Sequence, residues 1–383
     1  MERIKRLLCI VSVMNAGGAE TFLMKLYRNL DRSKYQMDFC VNSREKGFYD
    51  DEIYLLGGRI YTVPCKSENL KVFADELGKI IRDNHYEYVL RITSNAMGFY
   101  DLKIAKKNGA RKCIARSSNS SDGSGYKVKI AHFIGKILYE RYVDVKIAPS
   151  DMAAEYTFGK KACNNGQVFF LHNAVDLTEY SFNLDSRIKI RKELAISDST
   201  KVIGHVGRFS HQKNHEFLIK IFNEILKLNP DCKLILVGEG ELKAMVEDSV
   251  NYYKIADNVI FTGVRDDIPK LMSAFDVFLF PSFYEGMPNT VIEAQAAGLP
   301  CVLSDTITKE ADITGLLDYK DLSLSEKIWA KETLKMAQHS HIDTREKFEQ
   351  AGYDIKIVAK EFEKIIFRDL KCIYEQSDEH IGK

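Results

Sequence analysis

Short apolar segments alternate with amphipathic segments along most of the chain, in two blocks. Some of the short segments, such as Leu234-Ile235-Leu236-Val237, are apolar at every position, which is typical of strands buried on both faces of a parallel sheet. The segments between them carry apolar residues at helical spacing. This alternation predicts the α/β class, with two doubly wound, Rossmann-like domains that face each other across a cleft.

The two blocks define the predicted elements and domains. In the first block, strands are predicted at 7–13, 37–41, 59–63, 87–92, 111–115, 144–148 and 167–171, and helices at 19–30, 69–83, 98–108, 127–141 and 151–158. In the second block, strands are predicted at 201–207, 232–237, 258–262, 277–281 and 300–304, and helices at 214–228, 241–253, 267–274 and 290–298. A polar stretch at 181–200 separates the blocks, and the tail over about 325–379 has a helical pattern. We therefore predict a first domain over 1–180, a second over 181–354, and a C-terminal helix over 355–383 that packs back toward the first domain.

The charge of the chain is balanced overall but unevenly distributed. Its 383 residues include 55 Lys and Arg against 54 Asp and Glu, which gives no electrostatic reason to expect a nucleic-acid partner. Residues 101–146, however, carry 11 basic and 4 acidic side chains. The interpretation is that the helices at 98–108 and 127–141 rest on an anionic membrane surface, and the alternative is an ordinary solvated face. The basic residues concerned are Lys103, Lys106, Lys107, Arg111, Lys127, Lys129 and Lys136.

Cysteine usage and the N-terminus favour a cytoplasmic protein. The eight cysteines are scattered without a C-x-x-C pair, which is typical of reduced core thiols. A basic start followed by the apolar run 7–14 is compatible with a signal peptide, but the run is short and leads into a glycine turn, which favours a first strand. No segment approaches the ~20 apolar residues of a membrane-spanning helix. The predicted location is cytoplasmic, peripheral on the inner face of the cell membrane.

Several strand-to-helix turns are candidates for ligand binding, since ligands of doubly wound sheets bind outside the carboxyl ends of the strands. The pair Gly17-Gly18 precedes a helix and allows a close approach to an anion, or forms a plain tight turn. Arg208 follows a strand directly, and Lys213 lies five residues later, before a helix that Asn214 is predicted to cap. Both cations are suited to a diphosphate, and the alternative is a pair of solvated surface charges.

The most informative segment runs from Pro281 to Pro300. Its loop contains Glu285, and a helix of small residues is predicted to start at Asn289 or Thr290. The loop amides and the helix N-terminus form a phosphate cradle. Glu293, placed in the first helical turn, is suited to accept hydrogen bonds from two ribose hydroxyls, and the alternative is an acid that offsets the helix dipole.

The spacing of Glu285 and Glu293 resembles the E-x7-E motif of retaining glycosyltransferases of family four, which have the GT-B fold. The similarity extends over about residues 7–312, through Gly17-Gly18-Ala19-Glu20, Asn173-Ala174-Val175-Asp176, Gly207-Arg208 and Gly238-Glu239-Gly240. The run from Ser304 to Glu310 is similar to the bacterial capsule and exopolysaccharide branch.

The resemblance implies a role for each matching position. Arg208 and Lys213 hold the donor diphosphate with the amides of Gly17 and of 286–290, Glu293 binds the nucleotide ribose, Glu285 binds the transferred sugar, and backbone near Val264 binds the base. The implied catalytic residues are Glu285, Arg208 and Lys213, and the implied donor-binding residues are Gly17, Arg208, Lys213, Val264, Glu285, Gly286, Met287, Pro288, Asn289, Thr290 and Glu293.

The expected reaction is transfer of a hexosyl or N-acetylhexosaminyl group from a nucleotide-sugar, UDP by branch resemblance, to a hydroxyl of a lipid-linked saccharide. No D-x-D occurs in the chain, so a metal-independent reaction without a cofactor is expected. The sequence departs from the family at Asn173-Ala174, where Asn-Gly is frequent, and at Arg116-Ser117-Ser118-Asn119, where related branches carry histidines. The alternatives are a nucleotide-sugar-binding protein without transferase activity, a dehydrogenase, and a phosphorylase or starch-synthase-like enzyme.

Overall fold

The chain forms two units, each built on a parallel β-sheet. The structure is a computed structural model that describes residues 3–15, 17–118 and 126–368. The first unit comprises residues 1–174 together with 355–383, and the second comprises 175–354. The predicted α/β class with two Rossmann-like domains is confirmed.

The first unit has a sheet of seven strands in the order β3-β2-β1-β4-β5-β6-β7, with every neighbouring pair parallel. The strands are β1 (Lys5–Ile10), β2 (Tyr35–Val41), β3 (Ile60–Thr62), β4 (Tyr88–Thr93), β5 (Lys112–Ser117), β6 (Val145–Ala148) and β7 (Val168–Phe170). Alternate residues of β1 belong to two different hydrophobic clusters, Leu7 and Cys9 to one and Leu8 and Ile10 to the other. The sheet is therefore buried on both faces, as the apolar segments predict.

Helices cover this sheet, and one of them comes from the end of the chain. In chain order they are α1 (Gly18–Asn29), α2 (Asp50–Leu55), α3 (Leu70–Asp83), α4 (Phe99–Lys107), α5 (Tyr126–Tyr139), α6 (Asp151–Phe158) and α7 (Lys160–Asn164). The helix over Ile355–Phe367 packs against α1 and adds Val358, Phe362 and Ile366 to the cluster that contains Leu7.

The second unit has a six-stranded parallel sheet in the order β10-β9-β8-β11-β12-β13. The strands are β8 (Lys201–Val206), β9 (Cys232–Val237), β10 (Val259–Gly263), β11 (Val277–Phe280), β12 (Cys301–Ser304) and β13 (Leu317–Lys320). The helices are α8 (Leu177–Tyr180), α9 (Leu184–Glu193), α10 (His215–Leu228), α11 (Lys243–Tyr252), α12 (Ile268–Ala274), α13 (Asn289–Ala296), α14 (Glu326–Met336) and α15 (Arg345–Gln350), which makes the helix over 355–367 α16. Strand order reverses between β8 and β11, which is where ligands of such sheets bind.

The structure differs from the sequence-based prediction in several places, and it includes the short helices α2 and α7, which were not predicted. The units divide after Ala174 rather than 180, because Leu177 and Tyr180 pack in the second unit's core. The polar stretch 181–200 contains α9, which Asn183 caps by accepting a hydrogen bond from the Ser186 amide. Strand β13 was not predicted, because its half-exposed residues do not form a continuous apolar run. The tail is three helices with breaks, and the predicted helix beyond 368 lies outside the described residues.

Within the described ranges, no helix is both long and apolar enough to cross a membrane.

Candidate active site

The loops that follow β8 and β11 lie side by side, since these strands are parallel neighbours with Val277 paired to Ile203. Three hydrogen bonds join the two loops. The Asn214 side-chain amide donates to the Pro281 carbonyl at 3.1 Å, the Phe283 amide donates to the Gln212 carbonyl at 2.9 Å, and the Gln212 side-chain amide donates to the Tyr284 carbonyl at 3.0 Å. The two loops therefore form one rigid element.

Asn214 differs from its predicted role as a side-chain cap of α10. It occupies the position before the helix, but its side chain makes no capping hydrogen bond. Its backbone is left-handed, with φ 54° and ψ 45°, a conformation that asparagine tolerates better than most residues. This conformation directs the side chain to Pro281.

The joined loops bring Lys213 and Glu285 into contact. Lys213 Nζ donates to Glu285 Oε1 at 2.7 Å, and both side chains are largely buried. The ammonium also lies 4.5 Å from the centre of the Phe280 ring, within the range of a cation–π contact. Two residues that are 72 positions apart in sequence thus form a charged pair at the strand-order reversal.

The segment after Glu285 leads into α13. The amides of Gly286 and Met287 have no hydrogen-bond acceptor within the part of the chain that the structure describes. Pro288 precedes the helix and offers no side-chain cap. These donors lie in the segment just before a helix N-terminus, a position where proteins bind phosphate.

Glu293 is placed differently from the prediction. Helix α13 begins at Asn289, so Glu293 is its fifth residue, and the first turn holds no acid. Offsetting the helix dipole in the first turn therefore does not explain this residue. Glu293 is half-buried.

Arg208 is exposed and lies near the start of the loop that follows β8. No carboxylate of the second unit's described residues pairs with it. Its position is fixed by close contact between backbones: a Cβ on Gly238 would lie 2.2 Å from the Gly207 carbonyl oxygen, so only glycine fits there. The guanidinium is therefore available to a ligand anion while its backbone is held.

Two other predicted donor-binding residues, Val264 and Gly17, lie outside these two loops. Val264 follows β10, at the same edge of the second sheet, and is 69% exposed. Gly17 belongs to the first unit, where it precedes α1 with extended backbone.

Arg116, which departs from the family pattern, is part of the first unit's packing. Its guanidinium lies 3.8 Å from the Phe22 ring centre, and Nη2 donates to Asn173 Oδ1 at 2.7 Å. Burial lowers the pKa of Arg116 to about 9. Asn119 of the same segment lies outside the described residues.

Sequence reasoning did not identify the side chains that support the loop of Glu285. The Ser304 hydroxyl donates to the Ser282 carbonyl at 2.5 Å, and Thr306 donates to the same oxygen at 3.3 Å. His211 stacks on Phe283 with ring centres 4.9 Å apart. The only sequence feature that could have indicated this support is the run of hydroxyl-bearing residues that begins at Ser304. The sequence analysis used that run only for its similarity to the exopolysaccharide branch.

Comparisons with known proteins agree with this architecture. Residues 186–317 match the family model described as "Glycosyl transferases group 1". The chain is 35% identical over 360 residues to the Bacillus subtilis (strain 168) protein EpsF, which is named as a glycosyltransferase, and the match covers 91% of this chain and 93% of that protein. It is 25% identical over 287 residues to the Escherichia coli UDP-Gal:alpha-D-GlcNAc-diphosphoundecaprenol alpha-1,3-galactosyltransferase, covering 70% of this chain and 72% of that one.

A solved structure of HepE from Anabaena, in complex with UDP and glucose, superposes with a TM-score of 0.70. It covers 100% of both chains at 17% identity, a level at which the likeness establishes the fold. The EpsF match extends over nearly the whole chain, and the group 1 match includes the loops of Lys213 and Glu285. The chain therefore belongs to the group 1 glycosyl transferase family and is a glycosyltransferase of the GT-B fold.

Proposed function

We propose that the protein transfers a sugar, with retention, from a UDP-sugar to a hydroxyl of a lipid-linked saccharide in cell-surface polysaccharide synthesis. The observation that carries the proposal is the Lys213–Glu285 pair, which the hydrogen-bonded loops hold beside the exposed Arg208 and the amides of Gly286 and Met287. The donor and acceptor follow the name of the Escherichia coli relative, and the HepE structure contains UDP. Family membership favours a transferase over a protein that only binds nucleotide-sugars.

The site supplies positive charge where the leaving group needs it. Arg208, Lys213 and the amides of Gly286, Met287 and Thr290 neutralise the diphosphate as its bond to the sugar breaks, an electrostatic stabilisation that needs no metal ion. The acceptor hydroxyl attacks from the face that the diphosphate leaves, and a phosphate oxygen of the donor takes its proton. Glu285 orients the sugar hydroxyls, Glu293 the ribose, and backbone near Val264 the base.

A two-step assay tests this proposal. A thermal-shift screen of nucleotide-sugars should identify a donor, because a ligand that binds the folded state stabilises it by mass action. NMR of the product formed from that donor should show the donor's anomeric configuration. Inversion of configuration would contradict the retaining mechanism, and stabilisation by no nucleotide-sugar would contradict the donor class.

Glu285→Gln should separate sugar binding from nucleotide binding. We expect kcat/KM to fall about 30-fold, since a charged hydrogen bond to the sugar is replaced by a neutral one. UDP affinity should change little, because UDP lacks the transferred sugar. Steady-state kinetics and calorimetry with UDP check both expectations, and Glu216→Gln, which alters a surface ion pair of α10, is the matched control. A variant with wild-type turnover would remove Glu285 from the mechanism.

We further propose that α5 binds the membrane in which the lipid-linked acceptor resides, at its inner, cytoplasmic face. The inward side of α5 is committed to the first unit: a Cβ on Gly135 would lie 2.7 Å from the Ala96 backbone, and His132 Nδ1 accepts a hydrogen bond from the Ala96 amide at 3.2 Å. The rest of the helix is turned away from this contact.

The outward side of α5 is apolar, whereas the outward side of a helix in a soluble protein is usually polar. Its exposed large hydrophobic residues are Tyr126, Ile130, Phe133, Ile134, Ile137 and Leu138. Exposed Lys127 and Lys129 lie at its start. An apolar face with flanking cations fits the interface of an anionic membrane.

Helix α4, which the sequence analysis included in the membrane contact, is left out of this proposal. Lys106 pairs with Asp144 at 2.7 Å and Arg111 with Glu87 at 3.0 Å, so part of the positive charge of 101–146 is already neutralised. Phe99 and Leu102 of α4 are buried. The proposal therefore depends on apolar insertion by α5 with the cations in support.

Replacing Phe133 and Ile137 by glutamate should reduce co-sedimentation with vesicles of anionic phospholipid about tenfold, since two inserted apolar side chains become charged. Leu55→Glu changes a side chain on α2 that is even more accessible, 86% exposed, and should leave binding unchanged. Equal binding by the double variant and the wild type would contradict the proposed contact.

A further inference from the structure

Two buried histidines lie beneath Lys213 and take no part in the proposed transfer. His205, on β8, is fully buried, and its Nδ1 lies 2.9 Å from the Leu279 carbonyl oxygen. Because a carbonyl only accepts, Nδ1 carries the hydrogen. Burial is the main cause that lowers the pKa of His205, and the nearby His215 is the second. The ring is therefore neutral, and Nε2 carries a lone pair that can accept a hydrogen bond.

That lone pair has no hydrogen-bond donor among the described residues. His215, the first residue of α10, meets the His205 ring edge-on at 4.8 Å between centres but donates no hydrogen bond to it. His215 instead stacks on Phe209 at 4.3 Å. An unused acceptor in a buried site costs free energy, and such an acceptor calls for a functional explanation.

The stem of Lys213 lies close to this nitrogen. A Cβ built on Gly207 would be 3.1 Å from His205 Nε2 and 3.3 Å from Lys213 Cδ and Cε, so the two side chains flank one point. The Phe280 ring contacts both, stacking on His205 at 5.5 Å and lying 4.5 Å from the Lys213 ammonium. Nε2 is thus the uncommitted acceptor beside the lysine.

We propose that His205 Nε2 accepts a hydrogen bond from the Lys213 ammonium when the donor diphosphate separates Lys213 from Glu285. This inference rests on the proposed function, because it needs a diphosphate at Lys213. In the free protein the ammonium bonds to Glu285. In the loaded protein it contacts the phosphate and His205, which leaves Glu285 to the sugar. His205 is then a positioning residue: it holds the lysine without touching the donor.

Two amide substitutions separate the roles of the two ring nitrogens. His205→Gln places an acceptor near the Nε2 position but lacks the donor to Leu279, whereas His205→Asn keeps a donor near Nδ1 and has nothing at Nε2. We expect UDP affinity, measured by calorimetry, to fall about tenfold in His205→Asn and to stay near the wild-type value in His205→Gln. The KM for the donor should follow the same order, with a smaller change in kcat.

The decisive comparison repeats both substitutions in a Lys213→Met background. If His205 acts through Lys213, the difference between Asn and Gln should disappear there, because the ammonium is gone. Thermal unfolding of each variant verifies folding, and His341→Asn serves as a control, since this histidine contacts the Ala297 and Phe275 carbonyls away from Lys213.

The outcomes distinguish this inference from the proposed function. Wild-type affinity in His205→Asn, a larger loss in His205→Gln, or an Asn–Gln difference that persists without Lys213 would overturn the role of Nε2. Absence of UDP binding in the wild-type protein would overturn the proposed function, and the inference with it. If His205→Asn does not fold, His205→Met, which also lacks the acceptor, replaces it in the same cycle. If His205→Gln does not fold, the wild-type protein supplies the acceptor-bearing arm of the comparison, with and without Lys213→Met.

Discussion

Replacing Lys213 by methionine should lower kcat/KM for sugar transfer by about 1,000-fold, as expected when a preorganised charge is removed from a leaving group in a water-excluded site. The Lys213 side chain is 15% exposed, so solvent screens its charge little, and hydrogen bonds between the two loops hold its position. Arg208 and the amides of Gly286, Met287 and Thr290 remain and prevent a complete loss. Steady-state kinetics with the donor found by the thermal-shift screen provide the measurement.

Two further variants identify the cause of that loss. Lys213→Arg keeps the charge and should recover part of the activity, although the planar guanidinium fits the contact with Glu285 differently. Lys220→Met removes a lysine from a surface pair with Glu216 on α10 and should have wild-type kinetics. Equal activity of Lys213→Met and Lys220→Met would contradict the role of Lys213.

Asp276→Asn should destabilise the second unit by about 3–5 kcal/mol, the typical cost of breaking a buried ion pair. Asp276 contacts Arg187 at 2.7 Å and Arg191 at 2.6 Å, and it accepts a hydrogen bond from the Val202 amide at 2.7 Å. Arg191 is 1% exposed, so the substitution leaves a buried cation without its carboxylate. The network ties α9 to the start of β8 and the turn before β11.

Thermal unfolding measures this effect, with an expected fall in Tm on the order of 10 °C for a unit of this size. Glu216→Gln, in an exposed pair, should change Tm by about 1 °C or less. A Tm for Asp276→Asn within a few degrees of the wild type would show that the network contributes little.

The positions of the main strands and the gathering of the candidate site follow from the sequence. The carboxyl ends of parallel strands lie at one edge of a sheet, so Arg208 and Lys213 after β8 and Glu285 after β11 had to lie at the same edge. The contact between Lys213 and Glu285 did not follow, because it depends on the left-handed backbone of Asn214 and on the hydrogen bonds that Gln212 makes to the loop of Glu285. Nothing in the sequence pattern around Asn214 or Gln212 indicates that these residues join the two loops.

The spacing of apolar residues also does not predict which face of a helix packs against the rest of the protein. The pattern of α5 predicts an amphipathic helix, but the apolar residues Phe133 and Ile137 are 64% and 65% exposed, and the small residue Gly135 makes the contact. The uneven distribution of charge likewise predicted that Lys106 and Arg111 contact a membrane surface. In the structure, they form ion pairs with Asp144 and Glu87, which are distant in sequence. Both outcomes depend on tertiary contacts.

The location of the donor is the central claim, and photolabelling tests it most directly. A UDP-sugar with a photoreactive group on the base is cross-linked to the wild-type protein, which is then digested with trypsin and mapped by mass spectrometry. The account predicts a label on the peptide 255–265, which contains Val264, and its loss when excess UDP competes. A label confined to peptides of the first unit, or one that UDP does not displace, would contradict it.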